Sequence, residues 1–134
     1  MHDVMMQTAR LWSKKSYCKR SQVGAILEKD GRILGTGYNG TLVKNINDCE
    51  DSNGNTRPNV VHAEQNLIAF AARHGIATIG CTVYVTLSPC EHCAKLLVQA
   101  GITKVVYDTE YRDTTGLILL SENGVEVVQY VDWD

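Results

Sequence analysis

The 134-residue chain has no apolar run long enough to cross a bilayer, and its start, Met1-His2-Asp3-Val4, lacks the basic-then-apolar pattern of a secretory leader. It has no excess of basic charge either: 13 Lys and Arg stand against 15 Asp and Glu, a net charge of −2. Aromatic residues are few, at 7%. Binding of long nucleic acid rests on a basic track, and for single strands on stacking platforms, so the sequence disfavours both DNA and RNA as partners. No repeat, low-complexity run or linker interrupts the chain, so we expect a single domain over residues 1–134. Hydrophobic residues at 44% and charged residues at 21% suit one buried core and are too apolar for a disordered chain. The expected setting is cytoplasmic (host cytoplasm for a viral chain), with no membrane.

Five cysteines are present: Cys18, Cys49, Cys81, Cys90 and Cys93. An odd number without a leader argues against a disulfide framework and for metal binding or chemistry. Cys90 and Cys93 form a C-x-x-C pair, which alone fits either zinc or a redox couple.

Apolar spacing predicts a helix over about 3–16, with Met5, Ala9 and Trp12 on one face. Segments 22–28 and 32–38 read as strands, joined at Asp30-Gly31 by a tight hairpin. Residues 39–59 are polar and read as a long loop. Then come a helix at 62–74, a strand at 82–87, a helix at 89–100, a strand at 103–107, a helix at about 114–122 and a strand at 125–131. The helices run up to Gly75, Gly101 and Gly124, a C-terminal signal. Strand–helix–strand alternation implies parallel pairing, whereas the hairpin must be antiparallel. The expectation is an α/β fold with a mixed five-stranded sheet and helices on both faces.

Two helix starts carry the chemistry. At one, His62 and Glu64 flank Ala63. At the other, Ser88-Pro89-Cys90-Glu91-His92-Cys93 offers Ser88 as N-cap, Pro89 at the first helical position and Glu91 as capping-box partner, which would place both cysteines in the first turn. A helix N-terminus favours thiolates. Two thiolates and one imidazole make a three-ligand zinc site with one open position, the mark of a catalytic rather than a structural ion. Glu64, not itself a ligand, would move protons beside that position. The whole matches the H-x-E…P-C-x-x-C signature of zinc nucleobase deaminases. His92 faces away from the pair. His2 and His74 read as surface residues and Cys81 as core.

The sequence resembles the cytidine deaminase superfamily and, within it, the deoxycytidylate deaminases. Five segments carry the likeness: Ser21-Gln22-Val23-Gly24-Ala25, Gly37-Tyr38-Asn39-Gly40, His62-Ala63-Glu64-Gln65-Asn66, Thr86-Leu87-Ser88-Pro89-Cys90-Glu91-His92-Cys93 and Tyr111-Arg112-Asp113. The resemblance implies a three-layer αβα fold and hydrolysis of dCMP to dUMP and ammonia, supplying dUMP for thymidylate synthesis. It implies zinc on His62, Cys90 and Cys93, with Glu64 as catalytic proton carrier. The backbone of Ala63 and Ser88 would read the pyrimidine, Asn39 would contact the sugar, and Arg112 with Tyr111 would take the 5′-phosphate. It further implies a homohexamer activated by dCTP and inhibited by dTTP, each with Mg²⁺, the regulatory nucleotide lying near Tyr38 and Gly40. The chain departs from the family at Thr41-Leu42-Val43-Lys44-Asn45, which bears on regulation. Some relatives hold a second zinc on cysteines in this region; with no clear third and fourth ligand, Cys18 and Cys49 are expected to be two free thiols.

Other readings are a deaminase of another nucleotide or base (dCTP, tRNA adenosine or a pterin-like heterocycle) and a non-catalytic zinc-binding protein. Glu64 argues against the latter, because a structural site has no use for a carboxylate that does not bind the metal.

Overall fold

A computed structural model describes residues 2–42 and 48–132. Helix α1 spans His2–Ser13, and the hairpin strands are β1 (Gly24–Lys29) and β2 (Arg32–Tyr38). Asp30 and Gly31 both take positive φ, 52° and 80°, as a two-residue turn between twisted strands requires. The polar segment after the hairpin contains two short strands, β3 (Gly40–Thr41) and β4 (Val60–Val61), paired antiparallel. Then follow α2 (Ala63–His74), β5 (Thr82–Leu87), α3 (Glu91–Gln99), β6 (Lys104–Thr109), α4 (Thr115–Glu122) and β7 (Glu126–Gln129). The small β3–β4 pair was not anticipated. Part of the altered segment, Val43 to Asn45, lies outside the described residues.

The main sheet has five strands in the order β2-β1-β5-β6-β7. β1 is antiparallel to both neighbours, while β5–β6 and β6–β7 are parallel, as the hairpin and the helical crossovers demand. Side chains alternate across it with the period of two that a strand imposes. Leu27, Val83, Val85, Val105 and Tyr107 point to one face, where Leu67 of α2, Leu97 of α3 and Leu120 of α4 bury against them. Ile26, Tyr84 and Val106 point to the other, where Met5, Met6 and Ala9 of α1 cover them together with Tyr130. The fold is therefore a three-layer αβα sandwich, with one helix on one face and three on the other among the described residues. Cys81 is fully buried, as expected. His2 is half-buried rather than a plain surface residue, because its Nδ1 lies 2.7 Å from the hydroxyl of the buried Tyr84.

Two glycines bring the helices close enough to build the site. A β-carbon on Gly37 would stand 2.6 Å from the carbonyl oxygen of Ala63, so the start of α2 rests directly on the β2 backbone. A β-carbon on Gly116 would collide with the carbonyl oxygen of Pro89 and lie 2.9 Å from the carbonyl group of Cys90, so α4 presses on the chain entering α3.

Candidate active site

His62 is the N-cap of α2, with extended backbone at φ −72° and ψ 157°, and its N–H donates to the Oε1 of Gln65 at 2.8 Å. That break between extended and helical backbone lets His62 and Glu64, two residues apart, serve one site. Cys90 occupies the N-cap position of α3, also extended at φ −72° and ψ 172°. Ser88 is therefore not the cap, and α3 begins at Glu91, later than its sequence pattern suggests. The reason is tertiary: the Ser88 hydroxyl accepts the N–H of Tyr111 at 2.7 Å, and the Ser88 N–H donates to the carbonyl of Thr109 at 2.9 Å. Both polar groups are spent on the chain leaving β6.

The His62 Nδ1 lies 3.6 Å from Cys90 Sγ and 3.3 Å from Cys93 Sγ. Metal bonds of about 2.3 Å to sulfur and 2.0 Å to nitrogen in a tetrahedron set sulfur–nitrogen separations near 3.5 Å, so these three residues fit a zinc ion. Without an ion, hydrogen bonds from Cys93 and from His62 pull the Cys90 thiol down to about 3. Its thiolate partner and burial hold the proton on Cys93, and the hydrogen bond to Cys90 raises His62. A divalent cation would displace that remaining proton and be bound by two thiolates. Glu64, 4% exposed, is pushed up to about 7 by burial. It stands beside the ligands without belonging to their cluster.

The site opens into a cavity of about 510 Å³. Asn39, Ala63, Ser88, Tyr111 and Arg112 all line it, as do His62, Glu64 and Cys90. Asn39 is largely committed to the scaffold: its Oδ1 accepts the Val23 N–H and its Nδ2 donates to the Ser21 carbonyl, both at 2.8 Å. One Nδ2 proton and one Oδ1 lone pair remain. Tyr38 and Gly40 do not face the cavity. The Tyr38 ring stacks on Trp12 at 6.4 Å, and Gly40 packs on Tyr17.

Sequence reasoning missed one wall of the cavity. Arg20, Cys49, Glu50 and Thr56 line it together with Cys18. Cys18 and Cys49 are joined as a disulfide, not left as two free thiols. The long polar segment folds back on residues 18–22, so sulfurs 31 residues apart in sequence meet. Arg20 carried one signal, its place immediately before the Ser21–Ala25 segment.

Residues 1–109 match the family model for the cytidine and deoxycytidylate deaminase zinc-binding region. The chain belongs to that family. It is a deaminase, a hydrolase of carbon–nitrogen bonds. It is 34% identical to the deoxycytidylate deaminase of Enterobacteria phage T2, over 98% of this chain and 94% of the relative. It is 39% identical to that of Mycobacterium phage D29, over 73% and 86%. Among solved structures, the dCMP deaminase of cyanophage S-TIM5, crystallised with dCMP and dUMP, superimposes with a TM-score of 0.93 at 44% identity, covering 96% of this chain and 95% of that one. No helix among the described residues is long and apolar enough to cross a membrane.

Proposed function

We propose that the protein hydrolyses dCMP to dUMP and ammonia, with zinc held by His62, Cys90 and Cys93. The observation that carries this reading is the His62–Cys90–Cys93 cluster with buried Glu64 beside it, in a site whose cavity is lined by Arg112 as well. When bound, zinc supplies a Lewis acid that activates water at neutral pH. Glu64 takes one proton from the attacking water and delivers it to the ring nitrogen, then takes the second proton from the added hydroxyl as it becomes the carbonyl and delivers it to the amino group, which leaves as ammonia. A carboxyl poised near neutrality suits both the uptake and the release. Ala63, first residue of α2, has an N–H with no carbonyl four residues back, and it donates to the pyrimidine carbonyl. The Ser88 carbonyl accepts from the exocyclic amino group, while the Ser88 hydroxyl keeps Tyr111 in place. Asn39 contacts the sugar with its remaining polar capacity. Arg112, beside Tyr111, pairs with the 5′-phosphate, for which a guanidinium fork is well shaped.

The product would serve thymidylate synthesis in the cytoplasm. We further propose a homohexamer activated by dCTP and inhibited by dTTP, each with Mg²⁺, the nucleotide resting near Tyr38 and Gly40. Asn39 lies between those residues and lines the cavity, so a shift of this short segment would reach the substrate. The test is ammonia release from purified, zinc-loaded protein against dCMP, deoxycytidine and dCTP, each with and without the two triphosphates. Preference for dCMP with a shifted half-saturation supports the reading. Equal rates on dCMP and deoxycytidine refute the substrate, and an unshifted hyperbolic curve refutes the regulation.

A further inference from the structure

The peptide group between Tyr38 and Asn39 is held at both of its polar atoms. Its N–H, that of Asn39, donates to the Val23 carbonyl at 3.2 Å. Its carbonyl, that of Tyr38, accepts the side-chain amide of Asn66 at 2.8 Å. The groups on either side are held as well. Gly37 lies against the start of α2, and the Tyr38 ring stacks on Trp12 of α1. The Asn39 side chain is bonded to Val23 and Ser21. Asn39 therefore lines the cavity from a backbone that is fixed by both helical layers.

An asparagine on a helix that bonds a strand carbonyl is ordinarily a packing tie that satisfies one acceptor. What distinguishes Asn66 is what it joins. It is the fourth residue of α2, and its own N–H donates to the His62 carbonyl at 3.0 Å. One residue thus spans from the backbone of His62, a member of the metal cluster, to the backbone that carries Asn39. Val23 and Ser21, which also hold Asn39, belong to the segment before β1, whereas Asn66 belongs to the helix whose start bears His62 and Glu64. Gly37 makes the reach possible: without a β-carbon there, α2 lies close enough to β2 for a short amide arm to meet Tyr38.

From this geometry we propose that Asn66 is a positioning residue for the substrate: by bridging the His62 and Tyr38 carbonyls it sets how far Asn39 stands from the metal cluster. The proposal rests on the dCMP reading above and deepens it. In that reading the base lies at the metal cluster and the sugar at Asn39, so the separation of the two must match one rigidly joined nucleoside. The deoxyribose of dCMP has a single free hydroxyl, at C3′, and this is the group that Asn39 is held to meet. A contact to a hydroxyl remote from the reacting carbon is made alike before and in the transition state, so losing it acts on KM rather than on kcat.

The experiment compares Asn66→Ala and Asn66→Asp with the parent enzyme, zinc-loaded, on dCMP and on 2′,3′-dideoxycytidine 5′-monophosphate, which lacks that hydroxyl. Alanine removes the donor; aspartate keeps the shape but sets an acceptor against the Tyr38 carbonyl. Both should retain zinc and raise KM for dCMP by about 3- to 10-fold, the range for one lost hydrogen bond, with kcat nearly unchanged. On the dideoxy nucleotide their KM should equal the parent's. Asn39→Ala should show the same split, and in a double-mutant cycle Asn66→Ala should add little once Asn39 is alanine. An unchanged KM for dCMP in both Asn66 variants overturns the proposal. So does an equal loss on the dideoxy nucleotide, an additive Asn39 and Asn66 effect, or a loss of zinc in both variants, each of which makes Asn66 a tie of the fold alone. A parent enzyme that treats dCMP and deoxycytidine alike overturns the dCMP reading itself, a result visible before any variant is made.

Discussion

Two groups of cavity-lining residues, a metal end and a loop end, are built differently. At the metal end, every functional side chain sits at the start of a helix packed on the sheet. Ala63, Glu64 and Cys93 are all but fully buried, and Gly37 and Gly116 admit backbone-to-backbone contact just behind them. At the loop end, Arg20, Tyr111 and Arg112 are exposed and come from irregular chain. That end is held by individual ties: the Cys18–Cys49 bond, the Glu50 carboxylate on Lys19 and Arg20, and the Ser88 hydroxyl on Tyr111. Reaction chemistry needs distances held to a fraction of an ångström, which close-packed elements provide. Recognition of a flexible phosphate tolerates more, and loops on a rigid scaffold suffice.

This contrast can be tested piece by piece. The largest effect is expected at the metal end. Glu64→Gln should keep one zinc per chain and an unchanged circular dichroism spectrum, yet lose about 10²–10⁴-fold in kcat, the worth of a placed acid–base group. Near-normal turnover would assign the proton to another residue.

Cys18→Ser comes next. Opening a cross-link between residues 31 apart in sequence should cost about 2–4 kcal/mol, read as a lower melting temperature. Zinc content should stay at one, because the loss falls on the loop end. A loss of zinc in step with the melting shift would show that the two ends are not separately supported.

Arg112→Ala should cost dCMP about 1.5–3 kcal/mol of binding, the range for hydrogen bonds to charged groups, and leave deoxycytidine turnover nearly untouched. Equal losses on both substrates would move Arg112 from recognition to scaffold.

Gly116→Ala should destabilise by about 1–3 kcal/mol, the usual cost of overpacking, because the new methyl group meets the backbone of Pro89 and Cys90. Here the expected signature is the reverse of Cys18→Ser: metal analysis should show lowered zinc affinity. Unchanged stability and zinc binding would mean that α4 does not brace the cysteine segment.

Much of the metal end was legible in the sequence. His62, Glu64, Cys90 and Cys93 stand at helix starts that local signals mark, since helix periodicity, strand alternation and Gly75 all act within a few residues. The Asp30-Gly31 turn was legible for the same reason. Ser88 shows where local signals mislead: as a serine before Pro89 it reads as an N-cap, but the N–H of Tyr111, brought alongside by the parallel pairing of β5 and β6, claims its hydroxyl. The meeting of Arg20 with Glu50 was not legible, because nothing in either neighbourhood says that they come together.

The sequence by itself thus determined the alternation of elements and the composition of the candidate metal cluster, since each depends on residues close together in the chain or on chemistry that few residue types perform. Only the tertiary structure decided that Cys18 bonds to Cys49, that Glu50 orders the run carrying Arg20, and that Arg20 shares a cavity with Arg112. Those pairings join segments remote in sequence, and the energy that selects them comes from closing the whole sheet and its loops, which no short window of residues encodes.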